Sequence, residues 1–321
     1  MTVFSVQAPR AVIMIRPHRF APNPATARDN AFQATDPMRA AFVVSQAAYD
    51  ECTDLAATLE RAGVRVHLFD DIDDDSPDSV FPNNWFSTHS GGHVVTYPMA
   101  SPSRRKERRS DILEMLKDQY RVQSIVDYSG LEQDGVFLEG TGAMVLDHAE
   151  RVAYAVKSDR MSDVALERFC THVGFEPVVF DAADSNGVAV YHTNVLMCIG
   201  DAFCLAAFDM ITDPARRAEI HDRLTASGRV TINLSERQIR EFAGNAIELM
   251  GTDGRVLALS RRAFKALTAD QIRELERFVT LVPVDIPTIE LAGGSVRCMI
   301  AGIHLSPRLE THANTATKKA S

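Results

Sequence analysis

Polar side chains able to do chemistry return along this chain at a nearly constant interval. Asn30, Asn84, Glu139, Asn194, Asn245 and Cys298 lie 54, 55, 55, 51 and 53 residues apart. Such a period predicts a stacked or ring-like repeat, and five intervals predict five units. The units share a pattern. Phe137–Leu146, then Arg151–Val156, then an amphipathic stretch at Ser162–Gly174 reads as strand, turn, strand, helix. Tyr191–Ile199, Ala202–Ala207 and Pro214–Ala226 repeat the order, as do Phe242–Met250, Arg255–Leu259, Ser260–Leu267 and Ala269–Phe278. Phe81–Thr88, turning at Gly91-Gly92 into Val94–Tyr97, opens another unit. The fold class is therefore α/β, built from five repeated strand–turn–strand–helix units. Equivalent positions of a ring meet near its axis, which makes the recurring polar residues one candidate site. A lone asparagine opening a strand has a simpler role as a turn former.

Composition narrows the function. The chain of 321 residues has 45% hydrophobic and 24% charged residues, enough for a large buried core without metals or disulfides as staples. A net charge of −9 argues against nucleic acid as the main partner. Apolar runs are too short to span a bilayer, and Ala11–Ile15 between arginines is no signal peptide. Five cysteines without a CxxC pair argue against a disulfide framework or zinc site and fit a reducing cytoplasm. Residues 1–309 are expected to form a single catalytic domain, with the polar tail 310–321 outside it. The basic run at 103–109 reads as a solvated helix face, and the acidic stretch Asp70–Asp78 as a solvated loop rather than a flap.

Among the cysteines, Cys52 and Cys170 fall in expected helices, and Cys198 and Cys204 in expected strands, where a thiol serves as a small hydrophobe. Cys298 follows Gly293-Gly294-Ser295-Val296-Arg297. The glycines free the backbone to present a thiol, and Arg297 supplies positive charge that favours thiolate. A thiol nucleophile needs a proton shuttle. His192 opens a repeat unit, in register with Glu139, whereas His89 and His93 bracket a hairpin turn and are expected to be exposed. Glu139, at the mouth of an apolar strand, needs an imidazole or a cationic partner. Phosphate loops and the GxSxG elbow are absent.

At these residues the sequence resembles the guanidino-group-modifying (pentein) superfamily, which includes arginine deiminase, dimethylargininase, agmatine deiminase and the amidinotransferases. The likeness runs from about Val12 to Leu305. Met14-Ile-Arg-Pro17, Asp29–Gln33, Phe81–Trp85, Leu138–Gly142 and His192-Thr-Asn194 bring it nearest to a branch described as citrulline-utilisation hydrolases. The resemblance implies a five-bladed α/β propeller of five pseudo-symmetric ββαβ units, with no cofactor and no metal. It also implies Cys298 as nucleophile, with His192 and Glu139 as catalytic partners. Arg160 matches an arginine that contacts the substrate carboxylate, with Arg16 and Asn23 as weaker candidates; Asn30 and Asn245 join the substrate-binding set through the repeat.

One departure bears on the substrate. Where arginine deiminases carry two carboxylates that clamp a guanidinium, this chain has Asn84 and Asn194. An amide both donates and accepts hydrogen bonds, which suits a neutral ureido group. The expectation is a Cys-dependent hydrolase of C–N bonds that converts citrulline to ornithine, ammonia and carbon dioxide. Deimination of arginine or dimethylarginine, and amidino transfer, are the rival chemistries. A non-catalytic small-molecule binding protein and a protein-interaction scaffold are the rivals from other classes. The expected partner is a small amino acid, and the sequence leaves room for a homodimer.

Overall fold

Short apolar runs interrupted by glycine turns favour hairpins, and each hairpin here is extended by a helix that returns the chain parallel to it. The computed structural model describes residues 6–28, 30–34, 38–71 and 76–308. The expected tail and Asp73, Asp74 and Asp75 lie outside the described residues. Within them are five separate three-stranded sheets. In the second sheet, Phe86–His89 pairs antiparallel with His93–Thr96, and Ser124–Asp127 adds in parallel after the helix Ser110–Gln119. The third repeats this with Met144–Asp147, Val152–Val156, the helix Asp163–Val173 and Glu176–Phe180. The fourth uses Met197–Ile199, Phe203–Ala206, Pro214–Ala226 and Val230–Asn233. The fifth uses Ile247–Met250, Arg255–Ser260, two short helices and Thr280–Val284. The first joins the two ends of the chain: Ala301–Ile303 pairs antiparallel with Ala11–Pro17, and Arg65–Asp71 lies parallel beyond it. Cys298 thus occupies the first sheet's equivalent of the position that Asn84 or Asn245 occupies in another sheet. Asn30 instead sits in the connection that leaves Ala11–Pro17.

Local sequence explains these elements. Gly91 and Gly92 turn the second hairpin at φ of 90° and 89°, a region closed to most side chains. In Asp163–Val173, Ala165, Leu166, Phe169, Cys170 and Val173 are buried at helical spacing. The helix stops at Gly174, which takes the left-handed conformation. Val152–Val156 is buried throughout, as befits a central strand covered on both faces. Between sheets, neighbours are tied in order. Thr88 Oγ1 donates to the Gly302 carbonyl (3.0 Å), Thr141 Oγ1 to Asn83 (3.1 Å) and Thr193 Oγ1 to Ala143 (2.5 Å). Asn245 Nδ2 donates to the Asn194 carbonyl (3.0 Å), and Arg297 N to the Asn245 carbonyl (3.3 Å), which returns to the first sheet.

Three expectations about exposure are corrected. His89 is buried: its strand faces inward, Nε2 meets Ser87 Oγ at 2.6 Å and the ring packs against Phe169. His93 is half-buried. The basic run is only partly solvated, because Arg104 and Glu107 form a buried bidentate pair at 2.9 Å inside the short helix Pro102–Glu107. Asp78, at the end of the acidic stretch, is buried as well.

Candidate active site

The recurring polar residues do not open the strands themselves. All but Asn30 sit in the tight turn just before the first strand of each hairpin. Asn84 ends the turn Pro82–Asn84; Glu139 precedes Gly140–Ala143; His192 precedes Thr193–Leu196. Asn245 and Cys298 come two and three residues before their strands. This turn explains the motif around Glu139. Gly140 has φ of 43°, and a Cβ there would lie 2.5 Å from the Asn83 carbonyl oxygen. At Gly142 a Cβ would lie 2.1 Å from the Asn84 amide and 2.8 Å from His192 Nδ1. Glycine lets three chain segments meet at one point.

At that point Cys298 Sγ, itself buried, accepts from Asn194 Nδ2 (3.2 Å) and Asn245 Nδ2 (3.3 Å). Two N–H donors aimed at sulfur suit a sulfur that carries negative charge. Among the described residues, buried Asn194 Oδ1 has no hydrogen-bond partner. His192 Nε2 meets Glu139 Oε2 at 2.9 Å. Burial pushes Glu139 up, but Arg160 at 3.4 Å, the His192 bond and Arg104 at 3.6 Å outweigh it and hold the carboxyl below its usual range. Burial holds His192 at about 4 against the pull of Glu139, so the resting pair at neutral pH is imidazole and carboxylate.

Sequence reasoning missed Arg104, Glu107 and Asp78. Arg104 is bidentate to Glu107, 3.7 Å from Asp78 and close to Glu139. It also orients Asn84, whose amide oxygen, assigned from its partners, accepts from Nη1 (2.9 Å) and Nη2 (3.1 Å). The Asn84 nitrogen is left facing Gly142 and His192. Asp78 also accepts from Asn23 Nδ2 at 2.7 Å. Burial raises Asp78 and lifts Glu107 to about 7, with Arg104 opposing both. The only sequence hint was an arginine and a glutamate three apart at the start of a basic run.

Arg160 stacks 4.8 Å from the centre of the Tyr191 ring, whose hydroxyl donates to the Gly293 carbonyl at 2.7 Å. Asn30 donates to the Ala292 carbonyl at 3.1 Å and packs onto Gly293. Arg16 lies apart, paired with Asp70 at 2.7 Å. Cys298, His192, Asn84, Arg104, Arg160, Asn30 and Asp78 line one small cavity of about 20 Å³, room for roughly one water. Among the described residues no group of three or more His, Cys, Asp or Glu suits a metal ion, and no helix is long and apolar enough to cross a membrane.

Comparison with known proteins adds to this geometry. The model of the eukaryotic N,N-dimethylarginine dimethylhydrolase family matches residues 16–305. No curated protein matches the sequence. Among solved structures, the N-terminal domain of ArgZ, an arginine dihydrolase of cyanobacteria bound to its substrate, superposes with a TM-score of 0.71. It shares 17% identity, over 91% of this chain and 97% of that one. Unliganded AgrE gives 0.72 at 17% identity, over 95% of this chain and 40% of AgrE. A dimethylarginine dimethylaminohydrolase adduct with S-methyl-L-thiocitrulline gives 0.61 at 15% identity, over 92% and 100%. At such identities the likeness to the solved structures is one of fold.

Proposed function

Because the chain belongs to the N,N-dimethylarginine dimethylhydrolase family, within the pentein superfamily of guanidino-modifying enzymes, we propose that it is a cysteine hydrolase whose substrate is neutral citrulline. The five sheets, tied in order and from last to first, would then form the five blades of an α/β propeller. The observation that carries the substrate reading is that the carboxylates near Cys298 already face protein cations. Glu107 is bidentate to Arg104, Asp78 faces Arg104, and Glu139 faces His192, Arg160 and Arg104. A guanidinium entering here would meet two arginines, and the one carboxylate lining the cavity, Asp78, already faces Arg104 at 3.7 Å and accepts from Asn23. A ureido group suits the amides around Cys298: Asn84, on the cavity wall, can donate to its carbonyl oxygen, and the buried Asn194 oxygen beside Cys298, without a hydrogen-bond partner among the described residues, can accept from an NH₂ at the reacting carbon. Arg160 and Arg104, on the cavity wall, suit the α-carboxylate.

In this mechanism Cys298 Sγ bonds to the ureido carbon as its proton passes to His192, and Glu139 stabilises the imidazolium. The carbon–nitrogen bond to the side chain breaks, and His192 returns the proton to the departing ornithine nitrogen. Neutral His192 then takes a proton from water, which attacks the S-carbamoyl carbon and releases carbamate. Carbamate decays to ammonia and carbon dioxide. The test is incubation with citrulline, arginine, dimethylarginine and agmatine, followed by assay of ornithine and ammonia. Ornithine from citrulline supports the reading; turnover of arginine or dimethylarginine without citrulline overturns it. The family match favours the guanidino substrate as second reading.

A further inference from the structure

A second cavity lies along the same strands, past the catalytic turns. The first hairpin strand of the second to fifth sheets lines it, as does Ala301–Ile303 of the first, and it shares no lining residue with the substrate cavity. Its volume is about 60 Å³, room for roughly four water-sized atoms. Arg297, next in sequence to Cys298, reaches into it. The Arg297 side chain makes a single hydrogen bond among the described residues, Nη1 to the Ile300 carbonyl at 3.0 Å, and no carboxylate there lies within ion-pair distance. The other titratable groups on the wall do not offset this cation. His148 and His304 stack at 3.7 Å and are held neutral, His304 at about 4, by burial. Buried Glu248 accepts from the Asp201 N–H at 2.7 Å through one oxygen; the other has no hydrogen-bond partner, with Arg255 at 3.7 Å. Burial, opposed by Arg229, lifts Glu248 to about 8, so it is mostly neutral at pH 7. Among the described residues the cavity therefore combines a guanidinium fork without a counter-ion and a buried carboxyl oxygen without a hydrogen-bond donor.

We propose that this inner cavity is a binding site for the small carbonic product, a planar oxyanion of the carbamate or bicarbonate class, held through its carboxylate by Arg297. Such anions have four heavy atoms, matching the space. They also carry an N–H or O–H for the wall that bears Glu248. This inference rests on the citrulline reading, since deimination releases no carbonic product. The site gives carbamate a place beyond the sulfur while ornithine still fills the substrate cavity.

The test uses the full chain and sodium bicarbonate, against sodium chloride at equal ionic strength and fixed pH, read by thermal shift. Saturable stabilisation is expected in the wild type and in Cys298→Ala, with affinity falling at least tenfold in Arg297→Gln. If that variant does not fold, Glu248→Leu, which removes the acceptor oxygen, serves instead, with the same expected loss. Against citrulline, bicarbonate should inhibit without competing. Equal stabilisation of wild type and variants, no stabilisation at all, or purely competitive inhibition would overturn the site. Bicarbonate binding in a protein that fails to turn over citrulline would overturn the substrate reading and support the cavity as an anion site.

Discussion

Replacing Asn194 with aspartate changes one atom of the group that donates to Cys298, so shape is kept while charge is inverted. The donor nitrogen 3.2 Å from Sγ becomes a carboxylate oxygen. Two unit charges at that separation repel by roughly 5 kcal/mol at an effective dielectric of about 20. Relaxation of the side chain reduces this, yet a quarter of it is about a tenfold effect. Asn245 Nδ2 at 3.3 Å remains as the other donor and cannot offset a new charge. Iodoacetamide alkylation at pH 7 reads the outcome, because the other thiols are poor competitors. Burial pushes Cys52, Cys170 and Cys198 to about 12 and Cys204 higher still. The expectation is labelling that vanishes in Cys298→Ala and slows at least tenfold in Asn194→Asp, with citrulline turnover falling in parallel. Labelling of Asn194→Asp within twofold of wild type would refute the argument that the two amides stabilise the negative charge that develops on the sulfur as it reacts.

Glu139→Gln removes the carboxylate shared by His192, Arg160 and Arg104, a buried cluster whose breakage costs about 3–5 kcal/mol, measured by urea unfolding. The wild-type contribution of Glu139 is present above its unfolded value of 4.5 and is lost as pH falls, because its folded value is depressed. Gly142→Ala puts a methyl group into the Asn84 amide and against His192; it should cost about 1–3 kcal/mol and lower kcat/KM roughly 100-fold, and wild-type kinetics would contradict the packing described. His192 and His304 are held at about 4, with His89 and His148 well below 6.5. The unfolded chain takes up these protons first, so stability is full above pH 6.5 and the melting temperature should fall steadily from pH 6.5 towards 4.

The repeat made much of the architecture legible, because its period is carried by turn residues and by strands short enough to read. Helices such as Pro214–Ala226 follow from an Asp213 cap, a proline in the first turn and apolar spacing. Cys298, His192, Glu139, Asn84, Asn194 and Asn245 shared a register, and the structure brings them together from different sheets. Asn30 reaches the same cavity by another route, since Cys298 supplies the turn that the first sheet would otherwise lack. Arg104, Glu107 and Asp78 were not legible. Charged residues in a charged stretch read as solvated, and their burial follows from contacts with Asn84 and Glu139, distant in sequence. His89 was misplaced for a similar reason: a hairpin turn is exposed, but its last strand residue can face the core.

Those hidden charges bear on substrate choice more than the catalytic residues do. In the mechanism proposed, Cys298, His192 and Glu139 would serve deimination and ureido hydrolysis equally, because both begin with attack of sulfur on a trigonal carbon flanked by nitrogens. What separates the substrates is the charge of the group that must be desolvated. A buried guanidinium needs a carboxylate that is not already neutralised. Arg104 faces Glu107, Asp78 and Glu139, and it also takes the oxygen of Asn84 on the cavity wall. Arg104 therefore turns Asn84 into a hydrogen-bond donor. A donor is what a carbonyl oxygen requires and what a guanidinium, having no acceptor, rejects.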